Sequence, residues 1–352
     1  MKLERTTGHA FRLLVLFALL GGCGGGQKKA DDKGTPDEPA PASSPAEPAA
    51  SEPAESAAPV PAPAGPAWKA PSGWFYKESF GKAAFVHMPV CVAADAERIV
   101  VIDSLGTETD KDTQVVIFGK DHKVRAKVPV PMGGTKMRSH GVAIAPDGAI
   151  YLALNAMDGG NQLAKVGRIT GSGSSYSFED LGAVSGAVAA YGIAVDAAGK
   201  VYLADAGTNK IFVDALGSAT SFSGPGDTED YPTRGIAVEP GGTLLTHTMR
   251  GGKFHLVRYS TSGQQLDDME LAKVAERLPW HYNEIAVAPD GRIFLADYGN
   301  RYTLRLSKDG RFDGKMACDN CRAPVGVAVA PDGAIYVADF RSKQVHYFEP
   351  MF

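Results

Sequence analysis

The sequence has 352 residues and a formal net charge of −4. A protein that binds nucleic acid without sequence preference needs a concentrated basic face, but here Lys and Arg are scattered among Asp and Glu, so we expect no nucleic-acid partner. Bulky apolar residues are nearly absent from the first part of the chain outside one short run, and the remaining ~280 residues suffice for one large all-β domain.

The first 22 residues show the order of charged and apolar residues that is typical of an export signal. Lys2, Arg5 and Arg12 supply a positive end, and an apolar run extends from Phe11 to Leu20. A run of about ten residues is much shorter than the ~20 that a membrane helix needs, so we do not expect a retained membrane span. We predict that residues 1–22 are a signal peptide.

The segment Leu20-Gly21-Gly22-Cys23 resembles the lipobox of bacterial lipoproteins. In that motif the cysteine is acylated and becomes the first residue, and two or three acyl chains give a durable anchor. The resemblance implies lipidation of Cys23, and Gly24 in place of Asp implies the outer membrane under the enterobacterial sorting rule. We expect a cell-envelope lipoprotein, on the periplasmic or surface face, attached to the membrane by lipid alone. An ordinary secretory signal with an incidental cysteine is the alternative.

Residues 23–72 consist largely of Pro, Ala, Ser, Glu and Asp, as in the segment from Pro36 to Pro41. Such a segment buries too little apolar surface to fold, and proline at this density favours extended polyproline II. We predict a disordered Pro/Ala/Glu-rich spacer that holds the folded domain away from the membrane. A Pro-rich docking motif is the alternative.

Six units of the folded part repeat one pattern: a strand of small apolar residues, a Pro-Asp-Gly or similar turn, and a second strand rich in β-branched and aromatic residues. The second strands begin at Ile99, Ile150, Val201, Leu244, Ile293 and Ile335. They are spaced 42 to 51 residues apart. A third strand follows, as at 256–259, and then a more polar fourth strand, as at 122–126 and 265–269. This period is that of a four-stranded propeller blade.

The end of the chain predicts how the ring closes. Only four residues follow Phe348, so the sixth unit has three strands of its own. The segment from Trp74 to Ser79, ahead of the first unit, has the length and alternation of a strand, and its pairing with the last unit would remove an exposed edge. We predict an all-β, six-bladed β-propeller over residues 73–352 whose N-terminal strand completes the last blade.

The repeated Gly-Ile/Val-Ala-Val-x-Pro-Asp-Gly-x-Ile-Tyr-Val-Ala-Asp, with Asn209 and Asn300 following the Asp in two units, resembles the NHL-type repeat. The resemblance extends over residues 73–352 and implies the propeller fold. Propellers of this kind include binding modules, peptide-amidating lyases, streptogramin lyase-like proteins and lactonases. Because one architecture serves many functions, the activity has to be inferred from the site.

In a propeller, the loops that enter the inner strands open around the channel mouth, which is the default ligand site. The residues just before the inner strands are, in ring order, Pro89, His140, Tyr191, Arg234, Asn283 and Val325, and His87, His281 and Arg322 lie near them in sequence. Polar, titratable and aromatic groups alternate here, whereas the strands that follow are apolar. Our candidate ligand-binding residues are His140, Tyr191, Arg234, His281, Asn283 and Arg322.

The amidating lyases of this fold hold a metal with histidines at the channel mouth, beside a Tyr and an Arg. The resemblance makes His140, His281 and His87 candidate metal ligands, since imidazoles hold zinc and leave a position open for chemistry. His87 lies two residues before the ring position, and the cysteine pairs of those lyases have no match here. A solvated ring of polar loop residues without a metal is the alternative, and no residue is assigned as catalytic.

Four aspartates end second strands of the repeat, Asp103, Asp205, Asp297 and Asp339. Their carboxylates could hold calcium, but an Asp that starts a loop more often accepts backbone N–H bonds of its own turn. We favour turn capping, so zinc and calcium are both considered as cofactors and neither is assigned.

The spacing Cys318-Asp319-Asn320-Cys321 predicts a disulfide in an exported protein. Haem attachment would need a His after the second cysteine, where Arg322 stands. Cys91 opens the first blade, which is adjacent to the sixth in a closed ring, so a bond between Cys91 and Cys321 is the competing prediction.

Together these features predict a membrane-tethered, monomeric propeller that binds a protein or small-molecule ligand or serves as a scaffold. The alternative function is a metal-dependent lyase, lactonase or other hydrolase with its site at the same mouth.

Overall fold

The computed structural model describes residues 68–104, 113–131, 138–158, 160–217, 219–226, 232–271 and 282–352. The predicted signal peptide, the lipidation site Cys23, most of the predicted spacer and His281 lie outside these residues. The described residues form strands and turns without a helix, so no helix among them could cross a membrane.

The described strands form six antiparallel four-stranded sheets. Blade 1 consists of β2 (Pro89–Ala94), β3 (Arg98–Asp103), β4 (Gln114–Gly119) and β5 (Val124–Pro129). Blade 2 consists of β6 (Arg138–Ile144), β7 (Ile150–Asp158), β8 (Asn161–Ser172) and β9 (Ser175–Ala183). Blade 3 consists of β10 (Ala190–Val195), β11 (Val201–Asp205), β12 (Lys210–Val213) and β13 (Thr220–Ser223).

The second half of the chain repeats this arrangement. Blade 4 consists of β14 (Ile236–Val238), β15 (Leu244–Arg250), β16 (Lys253–Tyr259) and β17 (Gln265–Glu270). Blade 5 consists of β18 (Tyr282–Val287), β19 (Ile293–Asp297), β20 (Tyr302–Leu306) and β21 (Phe312–Met316). Blade 6 contains β22 (Pro324–Val329), β23 (Ile335–Asp339) and β24 (Gln344–Met351), and its fourth strand is β1 (Gly73–Phe80). The predicted six-bladed propeller is confirmed.

The pairing of β1 with β24 closes the ring as predicted. The two strands are antiparallel, from Gly73 opposite Met351 to Phe80 opposite Val345. The Trp74 indole N–H donates to the Gly333 carbonyl at 2.6 Å, on the turn between β22 and β23. The edge of β24 is therefore covered by the other end of the folded chain.

The hydrophobic core is divided among the interfaces between neighbouring blades. Blades 1 and 2 share a cluster that includes Ile102 and Leu152, and blades 6 and 1 share one that includes Tyr336 and Val101. The second strands are buried on both faces, because they lie in the middle of a blade and between two neighbours. The fourth strands are polar and exposed, as β17 shows, which suits the rim of the ring.

One predicted strand begins later than the sequence pattern suggests. The pattern from His122 to Ala126 reads as a fourth strand, but β5 begins at Val124. His122 instead lies in the preceding turn with a φ of 59° and stacks on Phe80 of β1 at a centroid distance of 4.1 Å. Local hydrogen bonds close this turn, because the His122 N–H donates to the Gly119 carbonyl at 2.9 Å and the Gly119 N–H donates to the Lys123 carbonyl at 2.9 Å.

Candidate functional site

Five of the six inner strands carry a register shift where they reach the channel mouth, and β14 of blade 4 is the exception. The pairing with the second strand shifts by one residue between Ser139 and Gly141 in blade 2, and between Ala190 and Gly192 in blade 3. His140 and Tyr191 therefore occupy the extra position of equivalent bulges, which re-aim a side chain. The same shift between Pro89 and Cys91 makes Val90 the equivalent residue of blade 1, so Pro89 is a wrong choice for this ring position.

Three of the predicted ligand-binding residues lie in contact across three consecutive blades. The His140 ring stacks on the Tyr191 ring with centroids 4.4 Å apart and planes 20° apart. The Arg234 guanidinium carbon lies 5.1 Å from the centroid of the same Tyr191 ring. All three residues are half-buried. We call His140, Tyr191 and Arg234 the mouth stack.

Glycines set the spacing of the mouth stack. A Cβ on Gly141 would lie 2.6 Å from the Tyr191 carbonyl oxygen, and a Cβ on Gly192 would lie 2.3 Å from the Arg234 carbonyl oxygen. Blades 2 and 3 therefore pack their inner strands against the backbone of the next mouth residue, and a side chain at Gly141 or Gly192 would push these blades apart. The small residue in the repeat is thus a cause of the close stacking of His140, Tyr191 and Arg234.

A cavity of about 170 Å³ lies on the propeller axis. Inner strands of all six blades line it, mostly with Gly, Ala, Val and Ile, and its polar lining residues are Tyr191 and Glu284. Tyr191 thus belongs to both the mouth stack and the cavity. A mostly apolar cavity with few polar groups is the usual form of a small-ligand site.

Glu284 is not among the site residues predicted from the sequence. Aligning the six units by register shows the signal: the inner-strand position that holds Gly141, Gly192, Gly235 and Gly326 holds Cys91 in blade 1 and Glu284 in blade 5. Blade 6 lies between those two blades. Cys91 and Glu284, the two residues that replace glycine, therefore lie on either side of Gly326 around the channel axis.

The Glu284 side chain crosses blade 6 to reach blade 1. Its Oε1 accepts the Cys91 thiol, and its Oε2 accepts the backbone N–H of Val327 at 3.0 Å and that of Val92 at 3.4 Å. A Cβ on Gly326 would lie 2.6 Å from Oε2, so the missing side chain at that position provides the space for the carboxyl group. Glu284 joins three blades at the axis.

Burial controls the protonation of this pair. Desolvation raises the pKa of Glu284 to about 8 against the opposing effect of its hydrogen bonds from Cys91, Val92 and Val327. Burial, and then the nearby carboxyl group, raise the pKa of the Cys91 thiol well above its usual value. At neutral pH both groups are mostly uncharged, so Glu284 does not neutralise the positive charge of Arg234.

The other predicted site residues do not join the mouth stack in the described part of the chain. His87 donates its backbone N–H to Asp103 Oδ1 at 2.9 Å, and the Arg322 side chain is exposed. Asn283 lies in β18 next to Glu284. Within the described ranges, neither His140 nor His87 belongs to a group of three potential metal ligands with atoms within 4.8 Å of one another.

The aspartates that end second strands bind backbone N–H groups. Asp205 accepts the N–H of Thr208 in the following turn at 3.1 Å, and Asp297 accepts that of Asn300 at 3.0 Å. Each of Asp103 and Asp339 also binds the loop that enters its own inner strand, through Val86 N–H at 2.8 Å and Ala323 N–H at 3.0 Å. These carboxylates tie the mouth loops to the blades.

A disulfide joins Cys318 to Cys321 in the loop between blades 5 and 6, and Cys91 is a buried free thiol. Of the two pairings considered from the sequence, the structure contains the one between neighbouring cysteines.

Known proteins resemble this chain in one repeat and in the overall fold. The NHL repeat model matches residues 322–348, which lie in blade 6. No curated protein sequence matches the chain. A virginiamycin B lyase from Staphylococcus aureus, in a crystal structure with quinupristin, is similar with 13% identity and a TM-score of 0.51 over 75% of this chain and 95% of that one.

Two further solved structures are similar. One is a streptogramin B lyase, with 14% identity and a TM-score of 0.51 over 79% of this chain and 98% of that one. The other is a chain of a nidogen/laminin complex, with 14% identity and a TM-score of 0.48 over 74% and 88% of the two chains. At this level of identity the likeness to the lyases concerns the fold alone. The chain is a six-bladed β-propeller with an NHL repeat in its last blade, and it shares its fold with the streptogramin B lyases.

Proposed function

We propose that this propeller is a binding module whose ligand site is the channel mouth, with the mouth stack above the axial cavity. The observation that carries the proposal is the stack itself. Residues from three blades, far apart in sequence, place an imidazole, a phenol and a guanidinium in contact at the entrance of a cavity lined by small apolar residues. Convergent polar groups at a concave apolar site are typical of ligand recognition.

The chemistry of the mouth stack favours an anionic ligand with a planar part. A guanidinium that lies over an aromatic face directs its N–H donors within its own plane, where they suit a carboxylate. Glu284, the carboxyl group among the described residues that line the cavity, is mostly protonated at neutral pH, so it does not compete for Arg234 as an anion. The simplest probe with both features is benzoate.

We expect benzoate to bind the purified protein with one-to-one stoichiometry and millimolar affinity in isothermal titration calorimetry. Arg234→Ala removes the cation and should weaken binding at least about tenfold, which corresponds to ~1.4 kcal/mol. Tyr191→Ala removes the aromatic face and should have a similar effect. Arg322→Ala is the matched control, because it removes the same charge from an exposed side chain on the same face. Equal losses in Arg234→Ala and Arg322→Ala would show a general charge effect and contradict the site.

A metal-dependent lyase or hydrolase at the same mouth is the second candidate, and the protonation of Glu284 favours it. A carboxylic acid with a pKa near 8 in a cavity is suited to general acid–base catalysis. The metal would be held by His140 with His281 and His87. Elemental analysis separates the candidates: about one zinc or calcium per chain that is lost in His140→Ala supports the lyase, and metal-free protein that binds benzoate supports the binding module.

We also propose that the propeller is displayed at the cell envelope on its Pro-rich spacer through lipidation of Cys23. The proposal rests on the order of charges, apolar run and cysteine in residues 1–23. The full-length chain expressed in a Gram-negative bacterium should fractionate with the outer membrane and incorporate labelled palmitate. Cys23→Ala should abolish the label and move the protein out of the membrane fraction, whereas Cys91→Ala should leave both unchanged. Label that persists in Cys23→Ala would contradict the anchor.

A further inference from the structure

We propose that Cys318 and Cys321, with His346, form a thiol–disulfide exchange site that the channel mouth does not use. Cys318 would be the sulfur that is attacked in the disulfide and that attacks in the dithiol. Cys321 would be the resolving sulfur, and His346 the neighbouring group that favours the thiolate. The partners would be low-molecular-weight thiols and disulfides such as glutathione, or exposed cysteines of another protein.

The two cysteines differ in exposure. Cys318 is half-buried, whereas Cys321 is buried at 8% exposure. An incoming thiolate, which has to approach along the axis of the bond it breaks, therefore reaches Cys318 more readily than Cys321. This difference in exposure assigns attack to Cys318 and resolution to Cys321.

An imidazole lies beside the pair. A ring nitrogen of His346 and both sulfurs lie within 4.8 Å of one another, and His346 has no exposed surface. Its Nε2 lies 3.2 Å from Asp339 Oδ2, and its Nδ1 lies 2.7 Å from Ser79 Oγ on β1. The ring is therefore close enough to influence the ionisation of a thiol at this site, and thiolates are the reactive species in exchange.

Asp339 is an anion at this site. Burial opposes its ionisation, but the hydrogen bond to His346 and the backbone N–H groups of Ala323, Ser342 and Arg322 outweigh that effect and lower its pKa to about 2. This fixed carboxylate holds the His346 ring in place beside the two sulfurs.

The loop around the cysteines is held without the disulfide. The Cys321 N–H donates to the Cys318 carbonyl at 3.0 Å, and the N–H groups of Arg322 and Ala323 donate to Asp339 Oδ2 at 2.7 and 3.0 Å. A bridge across three positions also closes too short a loop to remove much entropy from the unfolded chain. The bond can therefore open and close while the blade stays folded.

The reaction balances without a further reagent. In the reduced protein, the Cys318 thiolate attacks a disulfide RS–SR′, forms a mixed disulfide with RS, and releases R′S⁻, which takes a proton. The Cys321 thiolate then attacks Cys318 Sγ, forms the protein disulfide and releases RS⁻, which takes the second proton. The two electrons and two protons of the protein dithiol pass to RSH and R′SH.

The test uses the native protein, glutathione and a chelator, with alkylation by iodoacetamide and peptide mass spectrometry. Millimolar reduced glutathione should open the disulfide without denaturant and expose two alkylatable cysteines, with Cys318 modified at least about tenfold faster than Cys321. Cys91 should stay unmodified. In oxidised glutathione, Cys321→Ser should trap a glutathione adduct on Cys318, and the mirror variant Cys318→Ser should form an adduct on Cys321 far more slowly.

The role of His346 is tested on the Cys321→Ser background. His346→Gln should slow adduct formation with an unchanged far-ultraviolet spectrum, and Ser79→Ala is the milder second variant if His346→Gln fails to fold. A disulfide that glutathione opens only after denaturation would overturn the proposal. Equal adduct rates in the two cysteine variants would overturn it as well.

Discussion

A chain that begins at Lys82, without β1, should fail to fold cooperatively, whereas a chain that begins at Trp68 should unfold in one transition. The expected loss is large because β1 supplies the whole outer strand of blade 6 and contacts both neighbouring blades. Trp74 packs edge-on against Phe294 of blade 5 at 5.4 Å, and Phe80 stacks on His122 of blade 1. A domain is stabilised by only about 5–15 kcal/mol in total, so losing these contacts and exposing the edge of β24 should exceed what the ring can tolerate.

Circular dichroism and thermal unfolding measure this loss. A synthetic peptide of residues 68–81, added to the shorter chain, should restore the cooperative transition, since the missing strand is then supplied in trans. A scrambled peptide of the same composition is the control and should not restore it. A shorter chain that unfolds at the same temperature as the longer one would contradict the closure by β1.

Glu284→Gln should remove a pH dependence of stability from the native protein. The folded state holds the Glu284 proton up to about pH 8, whereas the unfolded chain releases it near pH 4.5. The folded state therefore binds more protons between these values, and stability falls as the pH rises through this window, by up to about 1.4 kcal/mol per pH unit. The glutamine keeps an acceptor for Val327 N–H and does not ionise.

Denaturant unfolding of both proteins across this window measures the effect. Their difference in unfolding free energy should shift in favour of Glu284→Gln by several kcal/mol from the acid end to the alkaline end. Glu97→Gln, at an exposed carboxyl group, is the matched control and should shift little. A constant difference between wild type and Glu284→Gln would show that Glu284 ionises normally in the folded protein.

The fold could be predicted in detail because it repeats. Six copies of one hairpin pattern set the blade count, and the chain's end showed that one strand was missing from the last copy. β1 was found from that deficit, since its own sequence is an ordinary alternating strand. The start of β5 was misplaced because His122 belongs to the turn that joins β4 to β5, with a φ of 59° that the pattern of side-chain types does not reveal.

The candidate site was predictable only in part, for a related reason. Reading the residue before each inner strand was enough to select His140, Tyr191 and Arg234, which lie in contact. In blade 1 the bulge places Val90 at the ring position instead of Pro89. The sequence alone does not show this one-residue shift, because it is defined by the strand register. Glu284 was overlooked because its meaning lies in replacing glycine at one position of a ring, and its partner Cys91 is four blades earlier in the sequence.

The most direct test of the binding site is a crystal structure of the protein with 4-bromobenzoate, in which bromine can be located by its anomalous signal. The site described here predicts a single bromine at the channel mouth, with the ring against Tyr191 and the carboxylate on Arg234, and no such peak in crystals of Arg234→Ala. Bromine found only away from the mouth stack, or unchanged in Arg234→Ala, would contradict the assignment of the mouth as the ligand site.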